Sequence, residues 1–521
     1  AKFPPILLET ALKVTYEAPP GVKKNLLRTL ESWNQNWFGS GSEVRSQVIF
    51  LCAHFHAIMQ ERRTYIPQGW TKFYEFSQSD LTSASETVSL LVKIAEVQAT
   101  KGIQANTALD WVTLVGVLEQ AIYGSRVDND YDSRLVREYL SLFFRNDILD
   151  GPRKKGGVEI PPFDIPASTS MSDFRARVEQ LPDLDNPHSF GMAPNADRSL
   201  QRINSQRAIG MLRQLATASS GGAGEGSSGS VDIKAWKQQL SPLWTLWENV
   251  SKKELSKLKN VEVRAVSPDD PPIIAFVLMD TMYAVKLESK VSASLVTLQK
   301  VISGHVLSTP DIQAEAKSLM RGEVPPSWTS GWPSAPEDPT VFLTGLSKRL
   351  AALKGDWLKR AASRNPVEQA VVLSDFLRAD VFLNALRQQT ARKLSVSIDS
   401  LHLVASFEPP LLSDTSTTPL PVTVKDLILE GCVFDEHRRV LVEGQRNSPL
   451  TTVLPPLTIA WMSKTAHPDR AVSSARNASS VGMPIYADLN RERLIGEVHL
   501  HTESTRQRVL NSAALFLTEG G

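Results

Sequence analysis

Glycine-rich segments are the first residues in this sequence whose type and spacing could do chemistry. A phosphate-binding P-loop has the form G-x-x-x-x-G-K-[ST], in which backbone amides cradle a phosphate and the lysine reaches the outer phosphates. Gly151 and Gly156 have this spacing but are followed by Gly-Val, and Gly221 and Gly226 are followed by Ser-Ser. A G-x-G-x-x-G match at 224–229 lies in a Gly/Ser tract, not between a strand and a helix as a dinucleotide site requires. The sequence therefore predicts neither kind of nucleotide site.

Pairs of histidines two positions apart are the candidate metal ligands. On a helix, His54 and His56 would point about 200° apart and could not share an ion. On a strand, His499 and His501 would share a face, but no cysteine or further histidine stands beside them in the sequence. We therefore expect packing or surface roles for both pairs.

The carboxylate and thiol side chains also predict no functional site. The apolar run Ile273–Met279 followed by Asp280 could be a strand that presents a carboxylate to a metal, or the buried face of a helix. Apolar residues continue at helical spacing as far as Leu298, which favours the helix. Cys52, on an apolar helix face, and Cys432, in a predicted strand, are expected to be buried small hydrophobes. The sequence predicts no catalytic residue, no cofactor-binding residue and no metal ligand.

Composition excludes several classes of protein. Of 521 residues, 42% are hydrophobic and 22% charged, as in ordinary globular domains. Lys plus Arg (57) balances Asp plus Glu (56), so the net charge of +1 offers no electrostatic footprint for nucleic acid or an anionic membrane. No apolar run reaches the ~18 residues of a membrane-spanning helix, and two cysteines fit a reducing compartment. The sequence starts without Met and reads as a chain entered within a domain, cut from something larger.

The elements that would position these residues are mostly helices. Helical periodicity dominates the first 150 residues, and a proline-rich passage at 151–194 marks a domain boundary. A Gly/Ser tract at 217–230 predicts a surface loop. Further helices are predicted at Ala196–Leu215, Val231–Asn260, Pro272–Ile302, Pro310–Met320, Pro339–Ala362 and Leu377–Leu394.

After about residue 400 the pattern changes to short β-branched and aromatic segments separated by Pro, Asn, Asp and Ser. This spacing is typical of a small antiparallel sandwich or barrel. The predicted fold class is α+β, mainly α, with helical domains followed by a C-terminal antiparallel β-barrel. The predicted strands are Leu401–Glu408, Val424–Phe434, Thr452–Met462, Met483–Ala487, Leu494–His501 and Ala513–Leu517.

Two aromatic motifs are candidates for packing between modules, because a Trp beside Pro and Gly often anchors a loop on an apolar neighbour. The first motif is IPQGWTKFYEF and the second is VPPSWTSGW. Each could equally belong to an internal core. The candidate residues are Trp70, Phe73, Tyr74, Phe76, Trp328 and Trp332.

These motifs also carry a family resemblance. The segments Leu12–Trp33, Met59–Leu81 and Ala121–Phe144 resemble the sixth AAA+ module of dynein heavy chains. In the second half, FLNALRQQTARKLSVSIDSLHLVASF (Phe382–Phe407) and MPIYADLNRE (Met483–Glu492) resemble the C-terminal domain of that family. The resemblance runs in the family's order along essentially the whole chain. Two short segments resemble the cytoplasmic dynein 2 type, the retrograde intraflagellar-transport motor. They are LEGCVFD, which contains Cys432, and YIPQGWTKFYEF.

The resemblance implies a division into three parts. Residues 1–190 would be the end of the sixth AAA+ large subdomain with its helical small subdomain and a proline-rich connector. Residues 191–398 would be the helical part of the dynein C-terminal domain, and residues 399–521 its β-barrel part. The sixth module has lost nucleotide chemistry in this family, so ATP and magnesium would be bound by earlier modules of the parent chain.

The function implied is a structural and regulatory part of the ring of an ATP-driven, minus-end-directed microtubule motor. Its partners would be the remainder of the heavy chain ring and the dynein intermediate, light intermediate and light chains. Microtubules would be bound through a stalk, and the location would be the cytoplasm, cytoskeleton, and cilium or flagellum, without nucleic-acid binding or membrane insertion. The alternative is a non-motor scaffold or adaptor built from helical and β-barrel interaction domains.

Overall fold

The computed structural model describes residues 11–12, 20–100, 109–149, 164–220, 233–251, 258, 261–363, 365–407, 420–463, 480–502 and 513–517. The chain divides into two compact units, Ala1–Asp197 and Arg198–Gly521. The predicted boundaries at 190 and 398 stay predictions. Both candidate P-loops and the G-x-G-x-x-G match lie outside the described residues.

The first unit is helical in its described residues, which is consistent with the periodicity of the sequence. Its helix α3 has buried side chains on all of its faces from Arg45 to Met59 and forms the centre of the unit. At the N-terminus of α6, Asn129 is the capping residue, and its side chain accepts hydrogen bonds from the amides of Tyr131 and Asp132. The helices are α1 Val22–Ser32, α2 Gln35–Phe38, α3 Glu43–Glu61, α4 Gln78–Thr100, α5 Trp111–Val117, α6 Asp130–Phe143 and α7 Met171–Glu179, and α8 Ala196–Ser220 begins at the unit's end.

The second unit packs helices and sheets around one continuous apolar core that extends from Trp236 to Leu517. Proline at the first position starts four of its helices, because proline's fixed φ suits that position and its missing N–H is not needed there. A π-helical turn at Leu353–Trp357 follows α13 directly. The helices are α9 Ile233–Val250, α10 Pro272–Ile302, α11 Pro310–Met320, α12 Pro326–Thr329, α13 Pro339–Ala352, α14 Leu358–Ala361 and α15 Ala379–Leu394.

Eleven strands are described in this unit, all after Ala370. They are β1 Val371–Val372, β2 Leu401–Ser406, β3 Val422–Lys425, β4 Leu427–Glu430, β5 Val433–Asp435, β6 Val440–Val442, β7 Thr451–Val453, β8 Leu457–Ser463, β9 Ser480–Tyr486, β10 Leu494–His501 and β11 Ala514–Leu517. They form a four-stranded sheet in the order β1-β3-β8-β2, a five-stranded sheet in the order β10-β9-β11-β4-β7, and the hairpin β5-β6.

The mainly helical α+β class is confirmed, whereas the antiparallel β-barrel is not. Both larger sheets are mixed, since β1 pairs with β3 and β11 pairs with β9 in parallel. In the described residues neither sheet closes on itself; each has two edge strands. Cys432 is buried as predicted, but it lies in the turn between β4 and β5 and not in a strand.

Candidate functional site

The aromatic loop, residues 66–76, joins α3 and α4 in the first unit. Arg62, the first residue of the 3₁₀ turn Arg62–Tyr65 that precedes the loop, has a fully buried side chain. Its Nε and Nη2 donate hydrogen bonds to the carbonyl oxygen of Gly69 at 3.0 and 2.7 Å, and Nη1 donates to the hydroxyl of Tyr139 on α6 at 2.9 Å. The guanidinium also lies 5.3 Å from the centre of the Trp70 ring. One cation thus ties the aromatic loop to α6.

Trp70 is the inward anchor of this loop. Its side chain is fully buried, and its indole Nε1 donates to the carbonyl oxygen of Met59 on α3 at 3.0 Å. Tyr74 and Phe76 are also buried and lie 5.8 and 5.5 Å from the Trp70 ring. These three predicted packing residues therefore lie in the core of their own unit.

Asp132 on α6 holds the other side of the aromatic loop. Its carboxylate accepts hydrogen bonds from the amide and hydroxyl of Thr71 and from the hydroxyl of Tyr74, the last at 2.9 Å. Burial raises the pKa of the Asp132 carboxyl, while the hydrogen bonds from Thr71 and Tyr74 lower it. The loop is consequently fastened to α3 and α6 by side chains distant in sequence.

Phe73 behaves differently from its neighbours. Its side chain is 66% exposed, beneath the Arg63 guanidinium at 5.3 Å from the ring centre. Among the six predicted packing residues, Phe73 is the one that presents its ring to the surface. Contact with another module stays a prediction for all six.

Trp328 and Trp332 lie in the core of the second unit. Both side chains are fully buried and pack on Phe342 of α13, at 5.8 and 5.2 Å between ring centres. The Arg349 guanidinium stacks over the Trp332 ring at 4.2 Å. The second aromatic motif thus anchors the loop before α13 within this unit.

A buried ion cluster, the Glu430 clamp, fastens α8 to the five-stranded sheet. Glu430 at the end of β4 accepts a hydrogen bond from the hydroxyl of Ser199 at 3.1 Å and pairs with Arg202 at 3.3 Å, both on α8. Arg491, in the turn after β9, pairs with the same carboxylate at 3.3 Å, and both side chains are nearly inaccessible. A buried carboxylate between two guanidinium groups defines one position for the start of α8.

Asp280 is part of α10, as the helical interpretation predicted, and it is fully buried. Its carboxylate accepts a hydrogen bond from the amide of Leu377 at 2.9 Å and lies 3.7 Å from Arg378, just before α15. Burial raises the pKa of Asp280 to about 6, against the opposing effects of the Leu377 amide and Arg378. The residue therefore positions the start of α15.

The candidate metal ligands do not gather into a site. His54 and His56 are buried in α3, where His56 Nδ1 lies 3.1 Å from the hydroxyl of Tyr123 and burial lowers the pKa of both imidazoles. His499 is on β10 as predicted, near Glu497 at 3.6 Å. Among the described residues, no three His, Cys, Asp or Glu side chains are grouped as metal ligands would be. Within the same part of the chain, no helix has the length and apolarity to cross a membrane.

Arg62, Asp132 and Glu430 were missed by sequence analysis. The sequence does contain a signal that Asp132 is buried, because this residue shares the apolar face of α6 with Leu135, Val136 and Tyr139. Glu430 gave no such signal, because its burial directly after the buried Leu429 departs from strand alternation, which only the structure shows. Arg62 left none, because its acceptors are 7 and 77 positions away along the chain.

Comparison with known proteins identifies the class to which these two units belong. The family model for the AAA lid domain of dynein heavy chains matches residues 45–196, and the family model for their C-terminal domain matches residues 203–517. The chain therefore belongs to the dynein heavy chain family.

Its relatives include the cytoplasmic dynein 2 heavy chain 1 proteins of Mus musculus and Tripneustes gratilla, each 37% identical over 99% of this chain. The cytoplasmic dynein heavy chain of Dictyostelium discoideum is 27% identical over 97% of this chain. The chain spans 11% of the length of the first two relatives and 10% of the third. The predicted resemblance to dynein heavy chains, and to cytoplasmic dynein 2 among them, is confirmed.

Proposed function

We propose that this chain is a structural and regulatory part of the motor ring of an ATP-driven, minus-end-directed microtubule motor of the retrograde intraflagellar-transport type. The observation that carries the proposal is the succession of a dynein AAA lid domain and a dynein C-terminal domain along the chain. The similarity to cytoplasmic dynein 2 heavy chains supports the transport type. ATP and magnesium bind to earlier AAA+ modules of the parent heavy chain.

The mechanical role rests on how the elements are joined. Arg62 and Asp132 hold the aromatic loop against α3 and α6, and the Glu430 clamp holds α8 against a sheet. Buried hydrogen bonds and ion pairs between elements rigidify the parts that they connect. Elements joined in this way move as bodies, so a shift imposed at one end of a unit reaches the other end.

The proposed setting follows the family. Residues 1–190 complete the sixth AAA+ module, and residues 191–398 and 399–521 form the helical and β parts of the C-terminal domain. The partners are the remainder of the heavy chain ring and the intermediate, light intermediate and light chains, with microtubules bound through the stalk. The site of action is the cytoplasm and cytoskeleton, including the cilium or flagellum. Phe73 is the aromatic residue that we assign to contact with a neighbouring module, because its ring is exposed.

The test uses the complete heavy chain in microtubule gliding and ATPase assays. We expect ATP-driven gliding that reports minus-end-directed stepping, with Thr71→Val lowering the velocity because the hydroxyl bond to Asp132 is lost. The matched control is Lys72→Met, which removes only the exposed ion pair to Asp128 and should leave the velocity unchanged. Absent or plus-end-directed motility would refute the motor proposal, whereas equal velocities for the two variants would refute only the mechanical role of the aromatic loop.

A further inference from the structure

Serine or threonine followed by proline, the dipeptide that proline-directed protein kinases recognise, occurs at four places in the described part of the second unit. A kinase must bring the acceptor hydroxyl in line with the γ-phosphate of ATP, so the hydroxyl must be accessible and the backbone before it must be able to extend along the kinase. The structure therefore distinguishes between the four places. They are Ser241-Pro242, Ser267-Pro268, Thr309-Pro310 and Ser448-Pro449.

Three of the four acceptor residues belong to folded backbone. Ser241 and its proline lie inside α9. Ser267 is part of a turn in which its amide donates a hydrogen bond to Asp270 Oδ2 at 2.7 Å. The hydroxyl of Ser448 accepts a hydrogen bond from the amide of Gln445 at 2.9 Å. A kinase reaches any of these residues only after local opening of the structure.

Thr309 differs from the other three in its setting. It is exposed, and residues 305–309 belong to no helix or strand. Its own backbone is extended, with φ of −95° and ψ of 161°. Leu307, two positions before it, has a side chain that is 89% exposed. The hydroxyl accepts one long hydrogen bond, from the amide of Ile312 at 3.4 Å, so its own proton is available for transfer.

The start of α11 suits a phosphate on Thr309. Thr309 is the N-cap residue of this helix, and phosphorylation adds about 1.5–2 negative charges and strong acceptor oxygens. A helix N-terminus favours negative charge, although Asp311 in the first turn opposes part of this effect. Farther along α11, Glu315 accepts hydrogen bonds from hydroxyl groups on α10 and α12. A phosphate that fixes the first turn therefore acts on a helix that joins two others.

We propose that Thr309 is a phosphorylation site for a proline-directed protein kinase. The γ-phosphoryl group of ATP passes to Oγ1 of Thr309. The bond from the γ-phosphorus to the bridging oxygen of ADP breaks, the Oγ1–P bond forms, and the hydroxyl proton passes to the catalytic base of the kinase. The phosphate oxygens then accept hydrogen bonds from the amides at the start of α11. This chemistry is assayed without microtubules, so its outcome is separate from that of the motor proposal.

Phosphorylation of the full 521-residue chain by a purified mitogen-activated protein kinase, and separately by a cyclin-dependent kinase, tests the proposal. Mass spectrometry assigns the phosphate, and a short peptide around each acceptor is the unfolded reference. For each site the rate in the chain is divided by the rate in its peptide. We expect this ratio to be at least about tenfold higher for Thr309 than for Ser241, Ser267 or Ser448, because those three require local opening.

Variants of the loop and hydrogen exchange complete the test. Thr309→Val should abolish phosphorylation of the loop, and Pro310→Ala should reduce it, whereas Ser308→Ala is the matched control and should leave the rate unchanged. Phosphorylation should slow amide exchange in the first turn of α11 about two- to fivefold, the size of a charge effect at a helix N-terminus.

Three outcomes would overturn the proposal. The first is a Thr309 peptide that neither kinase phosphorylates, which would show that the sequence is not recognised. The second is a phosphorylated Thr309 peptide with an unmodified Thr309 in the chain, or a ratio for Ser448 equal to that for Thr309, which would show that the fold does not present this residue. The third is an equal rate for Pro310→Ala and the unaltered chain, which would exclude a proline-directed site.

Discussion

The Arg62 guanidinium is held inside the first unit because three of its nitrogen atoms have acceptors there. Arg62→Met retains the apolar stem but leaves the Gly69 carbonyl and the Tyr139 hydroxyl without this donor. Because unsatisfied buried polar groups cost about 1–3 kcal/mol each, we expect the free energy of unfolding to fall by about 2 kcal/mol. Urea denaturation measures the change. Arg63→Met is the matched control, and a loss as large as that of Arg62→Met would contradict the assigned role.

At the scale of residues, sequence analysis predicted which side chains are buried better than it predicted their hydrogen-bond partners. Cys52 is buried in α3 as predicted, although α3 is buried on all of its faces and not only on the apolar one. The acceptor of Trp70 Nε1, the Met59 carbonyl, could not be inferred, because hydrogen bonds across a loop depend on how that loop folds back. A packing motif can thus be recognised in the sequence, whereas the residues that it contacts cannot.

The aromatic loop as an element depends on one glycine. A Cβ atom at Gly69 would lie 2.0 Å from the carbonyl oxygen of Arg62, closer than two such atoms can approach. Gly69→Ala must therefore move the backbone that receives the Arg62 guanidinium, and we expect a loss of stability of about 2–4 kcal/mol by thermal denaturation.

Gly116 provides the opposite control for that substitution. It lies inside α5, and no atom would lie within 4 Å of an added Cβ. Gly116→Ala should raise the stability by about 0.5–1 kcal/mol, because alanine loses less conformational entropy in a helix. If both alanine variants destabilised the protein equally, crowding at Gly69 would not be the cause.

We expect the Glu430 clamp to hold the start of α8 against the five-stranded sheet. Glu430→Gln keeps the shape of the side chain but removes the charge that both Arg202 and Arg491 face. We expect faster amide hydrogen exchange in the first two turns of α8 and a loss of about 2–4 kcal/mol, since breaking a buried pair leaves charge uncompensated. The exposed neighbour Glu492→Gln should change neither quantity; unchanged exchange in Glu430→Gln would show that other contacts hold α8.

Among the elements, helices were predicted closely and strands only in part. The helices Pro272–Ile302 and Pro310–Met320 have the predicted bounds, because proline marks their starts and apolar spacing their extent. The predicted strand Val424–Phe434 is three strands, interrupted where Asp426 and Gly431 have φ of 58° and 87°. A left-handed backbone at a non-glycine residue leaves no clear sequence signal, so the interruption at Asp426 could not be foreseen.

At the scale of the whole molecule, the buried histidines of the first unit and Asp280 of the second should contribute to the pH dependence of stability with opposite signs. Burial lowers the pKa of His54 to about 3 and of His56 to about 4. Below the unfolded value of about 6.5 these two histidines bind more protons in the unfolded chain, so their contribution to the stability of the first unit falls as pH falls. Burial raises the pKa of Asp280 to about 6, so the folded second unit binds the extra proton and its Asp280 contribution grows as pH falls.

Between pH 7 and 5.5 the expected changes are a loss of about 1.2 kcal/mol for each buried histidine and a gain of somewhat less than 1 kcal/mol at Asp280. Hydrogen exchange at the two pH values, corrected for intrinsic rates, measures both. His56→Gln should remove about half of the loss in the first unit, whereas the exposed His437→Gln should remove none. A first unit that gains protection at the lower pH would contradict the sign.

The arrangement of the sheets lay beyond the local sequence pattern. Alternation predicts that a segment is a strand, but the partners β2 and β8 are separated by about fifty residues, and the pair β1 and β3 is parallel. A run of short strands with turn residues is equally compatible with a closed barrel and with open mixed sheets, which is why the barrel was predicted and open sheets are observed.

One long helix has a geometric consequence for the second unit. α10 has 31 residues and is therefore about 46 Å long. A tilt of about 5° at one end of such a rod moves the other end by about 4 Å, more than half of one helical turn. Along its length it carries Asp280, near the start of α15, and Ser292, which binds the Trp247 indole of α9. A tilt of α10 that is too small to break any single contact at one end therefore moves the other end far enough to bring it into contact with different residues.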